Sequence, residues 1–545
     1  MLLAIIGGCI VYSIKHKDVS KVSVFFTCLA LLSMVFAFYN IMTIGQVEID
    51  SDTATATLLA REQIKTHSLF PNNWNYVNGD IWFISENLID LFLTNTIHNQ
   101  SVARCIQSVI LLLITAGVCL YYSRHTMKNN MWALLVPVFF IGLRGMFSMI
   151  LWSCGYVCAF IFIMLAIITG YELVKTKERF SKKFIWLIIF VAAVCVNGIR
   201  NIGEIVLPLM ILIMFWYWFV SEDTICLSIR EKCKKIVQRE TIVLIGTIIG
   251  VGIYYYLSKH LIIIQTDNNA LIFAASVGEI FYNIRLYVYN IFNIFGYVGS
   301  AGVISGDGLA NLVGMTVCLV MCFICPILQA KKFKESDTVT KFSFVFCTAH
   351  NFIMFLTIVL LGKTEARYTL TSVMCLLLIS ANYIVHQISG DKTGTAKIFF
   401  CLAFTGFLFI DGYKAYADTV NWQAQLARTY SVINQLEERG LTHGYASYWN
   451  SYKYTLQSDF DLQISAVVMD ESGIKPMYWL NSNDYYSTAN YNSETFVMVT
   501  SVEKPIYENS PMSHNLKTKL VKEFALTDAD YYIYVYSDNE LFNTK

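Results

Sequence analysis

The stretch Glu48–Trp82, EIDSDTATATLLAREQIKTHSLFPNNWNYVNGDIW, decides how the rest of the chain is read. It begins where the apolar run 22–44 stops, and it stays polar until the next apolar run near 103. Its first five residues hold three carboxylates, Glu48, Asp50 and Asp52. Charge at the edge of a membrane helix is costly and points to a use. From Thr53 to Ile64 the residues are mostly good helix formers, with Ser51 or Asp52 placed as the cap. Pro71 and the Asn-rich NNWNYVNGD then end the helix.

Working outward, 56% of the 545 residues are hydrophobic and only 14% are charged, with mean hydropathy +0.51. A soluble chain carries about 25% charged residues. The deficit and the long apolar runs predict a polytopic membrane protein. A net charge of +1 gives no reason to expect nucleic acid. The 15 cysteines lie in or beside apolar runs, where cysteine acts as a small hydrophobe. Cys318, Cys322 and Cys325 are read as helix packing rather than a metal site, and no disulfide framework is implied.

Twelve spans are expected, at 2–14, 22–44, 103–122, 131–149, 151–173, 184–199, 203–220, 241–259, 309–328, 342–362, 368–387 and 397–413. Residues 2–14 lack a basic leader and a small-residue cleavage site, which predicts a short first helix rather than a signal peptide. The loops 15–21, 123–128, 175–183, 230–239, 331–334 and 391–397 are basic and alternate with the others. Lys and Arg gather on the cytoplasmic side. The loops 45–102, 200–202, 260–308 and 363–367, and everything after about 414, are therefore expected outside. Within 260–308, GEIFYNIRLYVYNIFNIFGY predicts a helix at the outer surface or re-entering the protein.

Composition changes near 415. Residues 415–545 hold sixteen Asp/Glu and nine Lys/Arg. A helix over 420–440 closed by Gly440, β-type runs ISAVVM, TFVMVT and YYIYVY, and a helical KTKLVKEFAL predict a small α/β domain. The expected architecture is an all-α membrane domain, 1–414, with outer loop 45–102, followed by an extracytoplasmic α/β domain, 415–545.

Several charged residues fall at the outer helix ends by this topology. Asp50 and Asp52 follow the second helix, and Arg200 with Asn201 ends the sixth. Arg285 sits in the surface helix. Lys363, Glu365, Arg367 and Tyr368 link the tenth and eleventh. Basic groups of this kind bind a phosphate or pyrophosphate leaving group and stabilise its growing charge. A carboxylate takes the proton from an attacking hydroxyl. Each residue also has a plain alternative: Asp52 as a cap, Asp50 and Glu48 as solvated loop charges, Arg200 as a snorkelling helix end, and Arg367–Tyr368 as an interface anchor. Arg144 is read as structural, and His350 with Asn351 as an interhelical hydrogen-bonding pair. No phosphate-binding Gly-rich loop, GxSxG or HExxH motif occurs in a convincing context.

The order of helix, long outer loop opening on Asp, and Ala-Arg-Glu helix resembles the GT-C superfamily of polyprenyl-phosphate-sugar-dependent membrane glycosyltransferases. The protein-mannosyltransferase and aminoarabinose-transferase type is the nearest in pattern. In DTATATLLARE, Asp52 stands nine residues before Arg61, as in that family. The resemblance implies Asp52 as the catalytic acid residue, with Asp50 as a substitute, because Thr53 stands where the family usually has Glu. Arg367–Tyr368 matches an Arg-Tyr pair at the start of a late helix, which implies a role near the lipid phosphate. Arg200, Arg285 and Lys363 are further phosphate-binding candidates, and Arg61, Asp80, Asn201 and Glu365 are secondary ones. The tract 444–459, GYASYWNSYKYTLQSD, looks like one in bacterial members, and no role attaches to it.

The resemblance implies inverting transfer of a sugar from a polyprenyl-phosphate donor to a cell-envelope glycan, lipid or protein, on the outer face of a bacterial cytoplasmic membrane. No bound cofactor is assigned, and a divalent metal requirement is left open. The alternatives are a lipid-linked sugar flippase or transporter and an O-antigen-type glycan polymerase or ligase. A transporter should carry internal repeats, and none is found in the sequence.

Overall fold

The computed structural model describes residues 21–82, 84–124, 154–176, 181–221, 227–265, 273–297, 299–300, 302, 304–362, 365–390, 420–487, 494–539 and 541–542, with isolated positions between 394 and 417. The chain forms two compact units. One comprises Met1–Asn40, Val109–Tyr254 and Asn268–Ala417. The other comprises Ile41–Ser108, Tyr255–Asp267 and Asp418–Lys545. The C-terminal segment therefore does not form its unit alone: loop 45–102 and a piece of the 260–308 loop belong with it.

Among the described residues, eight helices are long and apolar enough to cross a membrane: Thr27–Val47, Gln100–Tyr122, Gly155–Lys175, Ile202–Val220, Ile229–His260, Gly306–Lys331, Thr338–Leu360 and Ala366–Ile388. The chain is an integral membrane protein built mostly of helices, with a smaller sheet-containing part toward the C-terminus. The span expected at 184–199 is a 15-residue helix, Lys182–Val196. The spans expected at 2–14 and 131–149, Arg144 and almost all of 397–413 lie outside the described residues.

The basic segment 230–239, expected as a loop, is helical. It opens one continuous helix, Ile229–His260. Lys, Arg, Glu and Gln are good helix formers, and hydropathy marks only the part of a helix suited to lipid. Arg239 is buried there. It donates to the Thr176 carbonyl, reaches the Tyr217 hydroxyl at 3.4 Å and covers the Phe184 ring at 4.7 Å. The same helix packs on Lys182–Val196 through Gly246 and Gly250. A Cβ on Gly250 would stand 2.4 Å from the Ala192 carbonyl oxygen, and one on Gly246 would stand 2.9 Å from that of Ile188. Small residues four apart let two membrane helices approach this closely.

In the other unit, six strands form a mixed sheet: β3 (His443–Ser447), β4 (Gln463–Asp470), β5 (Gly473–Pro476), β7 (Thr495–Val499), β8 (Leu520–Ala525) and β9 (Tyr532–Tyr536). Their order is β5-β4-β3-β7-β9-β8. β3 runs parallel to β4 and β7, and the outer pairs are antiparallel. Alternate residues serve opposite faces, as the two-residue period of a strand requires. Ala446, Phe496, Met498, Ile533 and Val535 pack with Val432, Ile433 and Leu436 of the helix Trp422–Glu437. Tyr445, Val497, Val499, Tyr534 and Tyr536 pack with Tyr507 and Leu516 on the other side. Gly440, at φ +73, ends that helical stretch as expected.

KTKLVKEFAL was expected to be helical, but Leu520–Ala525 is the edge strand β8, paired antiparallel to β9. Pairing with a buried neighbour overrode its local helix preference. A second, three-stranded sheet, β2-β1-β6, joins β1 (Trp74–Val77), β2 (Ile263–Gln265) and β6 (Asn481–Ser482). Asn78 and Gly79, at φ 54 and 78, form the turn after β1. Both left-handed positions suit an Asn-Gly pair.

Candidate functional site

The helix Ser51–Thr66 separates the carboxylates of the opening stretch. Asp50, rather than Ser51 or Asp52, is its N-cap. The Asp50 carboxylate accepts from the Thr53 backbone N–H at 2.8 Å, and Thr53 Oγ1 accepts from the Asp50 N–H at 2.8 Å. This reciprocal box satisfies two donors that a helix start leaves unpaired. Thr53, the departure from the family pattern, is thus the second half of the cap.

Asp52 lies in the first turn, half-buried. Its Oδ1 accepts a 2.6 Å hydrogen bond from the Tyr448 hydroxyl. Tyr448 is itself buried, and burial together with the neighbouring Asp52 charge holds its phenol well above the usual range. The phenol therefore stays protonated and remains a donor. Next to Asp52, Ser51 is fully buried. It donates to the Tyr448 carbonyl and accepts from the Tyr452 N–H at 3.2 Å. Lys453 follows, half-buried, with its ammonium 4.8 Å from the Tyr454 ring centroid. Burial lowers its pKa, and the Asp50 charge opposes that shift.

Arg61 has a packing role within this unit. It donates to Gln463 Oε1 at 3.0 Å and lies over the Phe460 ring at 4.4 Å. Asp80 closes the turn after β1, its N–H bonded to the Val77 carbonyl at 3.1 Å. Glu48 is exposed.

A buried polar cluster in the same unit was missed from the sequence. Glu86 and Asp90 lie on the helix Glu86–Thr96, and Arg104 and Gln107 lie early in the helix Gln100–Tyr122. All four are at least 96% buried. Burial raises the pKa of both acids, and the Arg104 charge opposes it. Asp90 is pushed up to about 7. The signal for this cluster was the amphipathic ENLIDLF, whose acids repeat at a four-residue step on one face.

In the other unit, Arg200 Nε pairs with the buried Glu204 at 3.1 Å. Arg367 Nε pairs with Glu365 at 2.6 Å, and its guanidinium lies 5.3 Å from the Tyr368 ring centroid. Arg200, Arg367, Tyr368 and Glu204 are all within electrostatic reach of Tyr156. The charges of the two arginines, far apart in sequence, thus both act on Tyr156, a residue that sequence reasoning did not single out. Asn201 is buried and donates to the Val194 carbonyl at 3.1 Å, a helix-end bond. Arg285 is exposed on the helix Val277–Ile294. Lys363 lies outside the described residues. His350 and Asn351 do not pair with each other in the bonds they make. His350 Nδ1 meets the Glu204 backbone carbonyl at 2.7 Å, and Asn351 donates to Cys347 of its own helix at 2.9 Å. His350 thus makes the interhelical bond expected, and Asn351 a local one.

No protein-family model and no curated protein sequence matches the chain. Among solved structures it is similar to ArnT from Cupriavidus metallidurans bound to undecaprenyl phosphate, at 10% identity and TM-score 0.48, over 94% of this chain and 97% of that one. It is also similar to the apo oligosaccharyltransferase of Archaeoglobus fulgidus, at 10% identity and TM-score 0.44, over 87% of this chain and 69% of that one.

Proposed function

We propose that the chain is an inverting membrane glycosyltransferase. It moves a sugar from a polyprenyl-phosphate donor to a cell-envelope glycan, lipid or protein at the outer face of a bacterial cytoplasmic membrane. Its C-terminal domain lies outside. Asp52 is the general base. It takes the proton of the acceptor hydroxyl as that oxygen bonds to the anomeric carbon. The anomeric C–O bond to phosphate breaks, and the phosphate leaves with the electron pair. One displacement inverts the sugar. Arg200 and Arg367, with Tyr368, bind the phosphate and stabilise its growing charge.

The observation that carries this reading is the division of labour at the helix start. Asp50 satisfies the cap, while Asp52 is held by a protonated Tyr448 at 2.6 Å. A carboxylate needed only for capping would not require that partner. The test replaces Asp52 and Asp50 separately with Asn and measures transfer of radiolabelled sugar from a polyprenyl-phosphate donor in membranes. Asp52→Asn should lose at least a hundredfold in rate, the low end for a general base. Full activity in Asp52→Asn would sink the assignment.

A further inference from the structure

We propose that Trp449 is a carbohydrate-stacking platform that seats the acceptor sugar beside Asp52, an assignment that rests on the transfer reading above. Trp449 is 56% exposed, although the residues on both sides of it are anchored. It occupies a short turn, Tyr448–Asn450, between β3 and the helix Tyr452–Gln457. On one side, Tyr448 holds Asp52 through its hydroxyl, and its carbonyl accepts from Ser451 Oγ at 2.8 Å. On the other, Asn450 donates to Ser447 Oγ at 3.0 Å and accepts from the Tyr531 hydroxyl at 2.9 Å. Tyr531 in turn accepts from Tyr454 at 3.2 Å. The indole stands edge-on to the Tyr448 ring, centroids 5.1 Å apart at 80°.

This arrangement fixes the backbone under an aromatic ring that stays more than half exposed. Preorganisation of this kind lowers the cost of binding. The path from Asp52 Oδ1 runs 2.6 Å to the phenol oxygen and through that ring to its centroid, which stands 5.1 Å from the centroid of the indole. This path is longer than one pyranose ring and within the reach of two linked sugars. An acceptor oligosaccharide stacked on the indole can therefore present a hydroxyl of the adjoining sugar toward Asp52. Indole rings also anchor proteins at membrane interfaces. The surroundings favour sugar. The partly exposed polar residues around the turn are Ser447, Asn450 and Lys453, which offer hydrogen bonds to hydroxyls, and the adjacent Tyr448 is buried and unavailable to lipid.

The test uses the full chain in detergent and in proteoliposomes. Tryptophan emission is titrated with cellotriose, chitotriose and α-1,6-mannotriose as probes. The wild type should give a saturable change with at least one of them. Trp449→Ala should weaken that binding at least tenfold, Trp449→Phe should restore part of it, and Val502→Ser, at an exposed site, should bind as the wild type. No saturable change with any probe, or equal affinity in Trp449→Ala, overturns the proposal. Quenching by brominated-acyl phosphatidylcholine that is present in the wild type and lost in Trp449→Phe also overturns it, because the ring would then lie in lipid. Asp52→Asn separates the two readings. Trp449-dependent binding with transfer lost supports both. The same binding with transfer intact ends the transfer reading and the acceptor role built on it.

Discussion

Replacing Asp90 with Asn should flatten the pH dependence of stability between about pH 4 and 7. Asp90 shares its buried site with Glu86, Arg104 and Gln107. Two acids face one guanidinium, so the cluster is neutral only when the acids hold one proton between them. Taking the folded pKa of about 7 against an ordinary 3.8, the sign follows. The folded state binds the proton more tightly than the unfolded chain. Stability is greatest below the unfolded value and falls as pH rises toward 7, where the loss is complete. At 1.36 kcal/mol per unit, the difference amounts to about 4 kcal/mol. Asn is neutral at every pH and leaves Glu86 to pair with Arg104. The assay is thermal unfolding of detergent-solubilised wild type and Asp90→Asn at pH 5, 6, 7 and 8. The wild-type midpoint should fall with rising pH relative to the variant. Parallel curves would refute the shared-proton account. A variant less stable at every pH by a constant amount would show that Asp90 serves only as a hydrogen-bonding group.

Asp50 and Asp52 should respond differently to the same changes. Asp50→Ala should cost about 1 kcal/mol in unfolding free energy, the usual cost of a lost cap, whereas Asp50→Asn keeps a good cap and should lie near wild type in both stability and transfer. Tyr448→Phe removes the 2.6 Å hydrogen bond that holds the Asp52 carboxylate. The rate of transfer should therefore fall, with an unchanged rate counting against Tyr448 as the group that positions Asp52. Gly250→Val drives a side chain into the Ala192 carbonyl and should cost about 1–3 kcal/mol in a thermal assay. Gly252→Val, with nothing within 4 Å of its Cβ, should be far milder.

The spans were legible because lipid demands long apolar runs, and the eight described spans fall on expected segments. Their ends were less legible. The polar start of Ile229–His260 is continuous helix, and no hydropathy pattern reports that. β8 was misread because its partner β9 decides its state. The carboxylates of Glu48–Asp52 were legible as a cluster, since three acids in five residues stand out. Tyr448 was not, because it meets Asp52 across 396 residues of sequence. The same holds for Tyr156, on which the charges of Arg200 and Arg367 both act. Arg61 stood out through its spacing from Asp52, yet its side chain packs on Gln463 and Phe460. A spacing motif identifies the helix and leaves the task of each side chain on it open.

Thr53 shows why the order of the two aspartates matters. The usual capping box has a long acidic side chain at the third helical position, reaching back to the cap N–H. Here Thr53 does that with a hydroxyl at 2.8 Å. A short residue suffices because Asp50, one residue outside the helix, supplies the other half of the box. With Asp50 as the cap, Ser51 and Asp52 become the first two helical residues. Negative charge in that turn is favourable to the helix, so Asp52 can be kept there without forming the cap. Ser51 is spent on the Tyr448 carbonyl and the Tyr452 N–H. These bonds position the segment that brings the Tyr448 hydroxyl to Asp52. Moving the cap by one residue would shift the helix start and change Asp52's place relative to that hydroxyl. The departure at Thr53 and the assignment of Asp52 are therefore compatible: the cap made with Thr53 fixes the register in which Asp52 meets Tyr448.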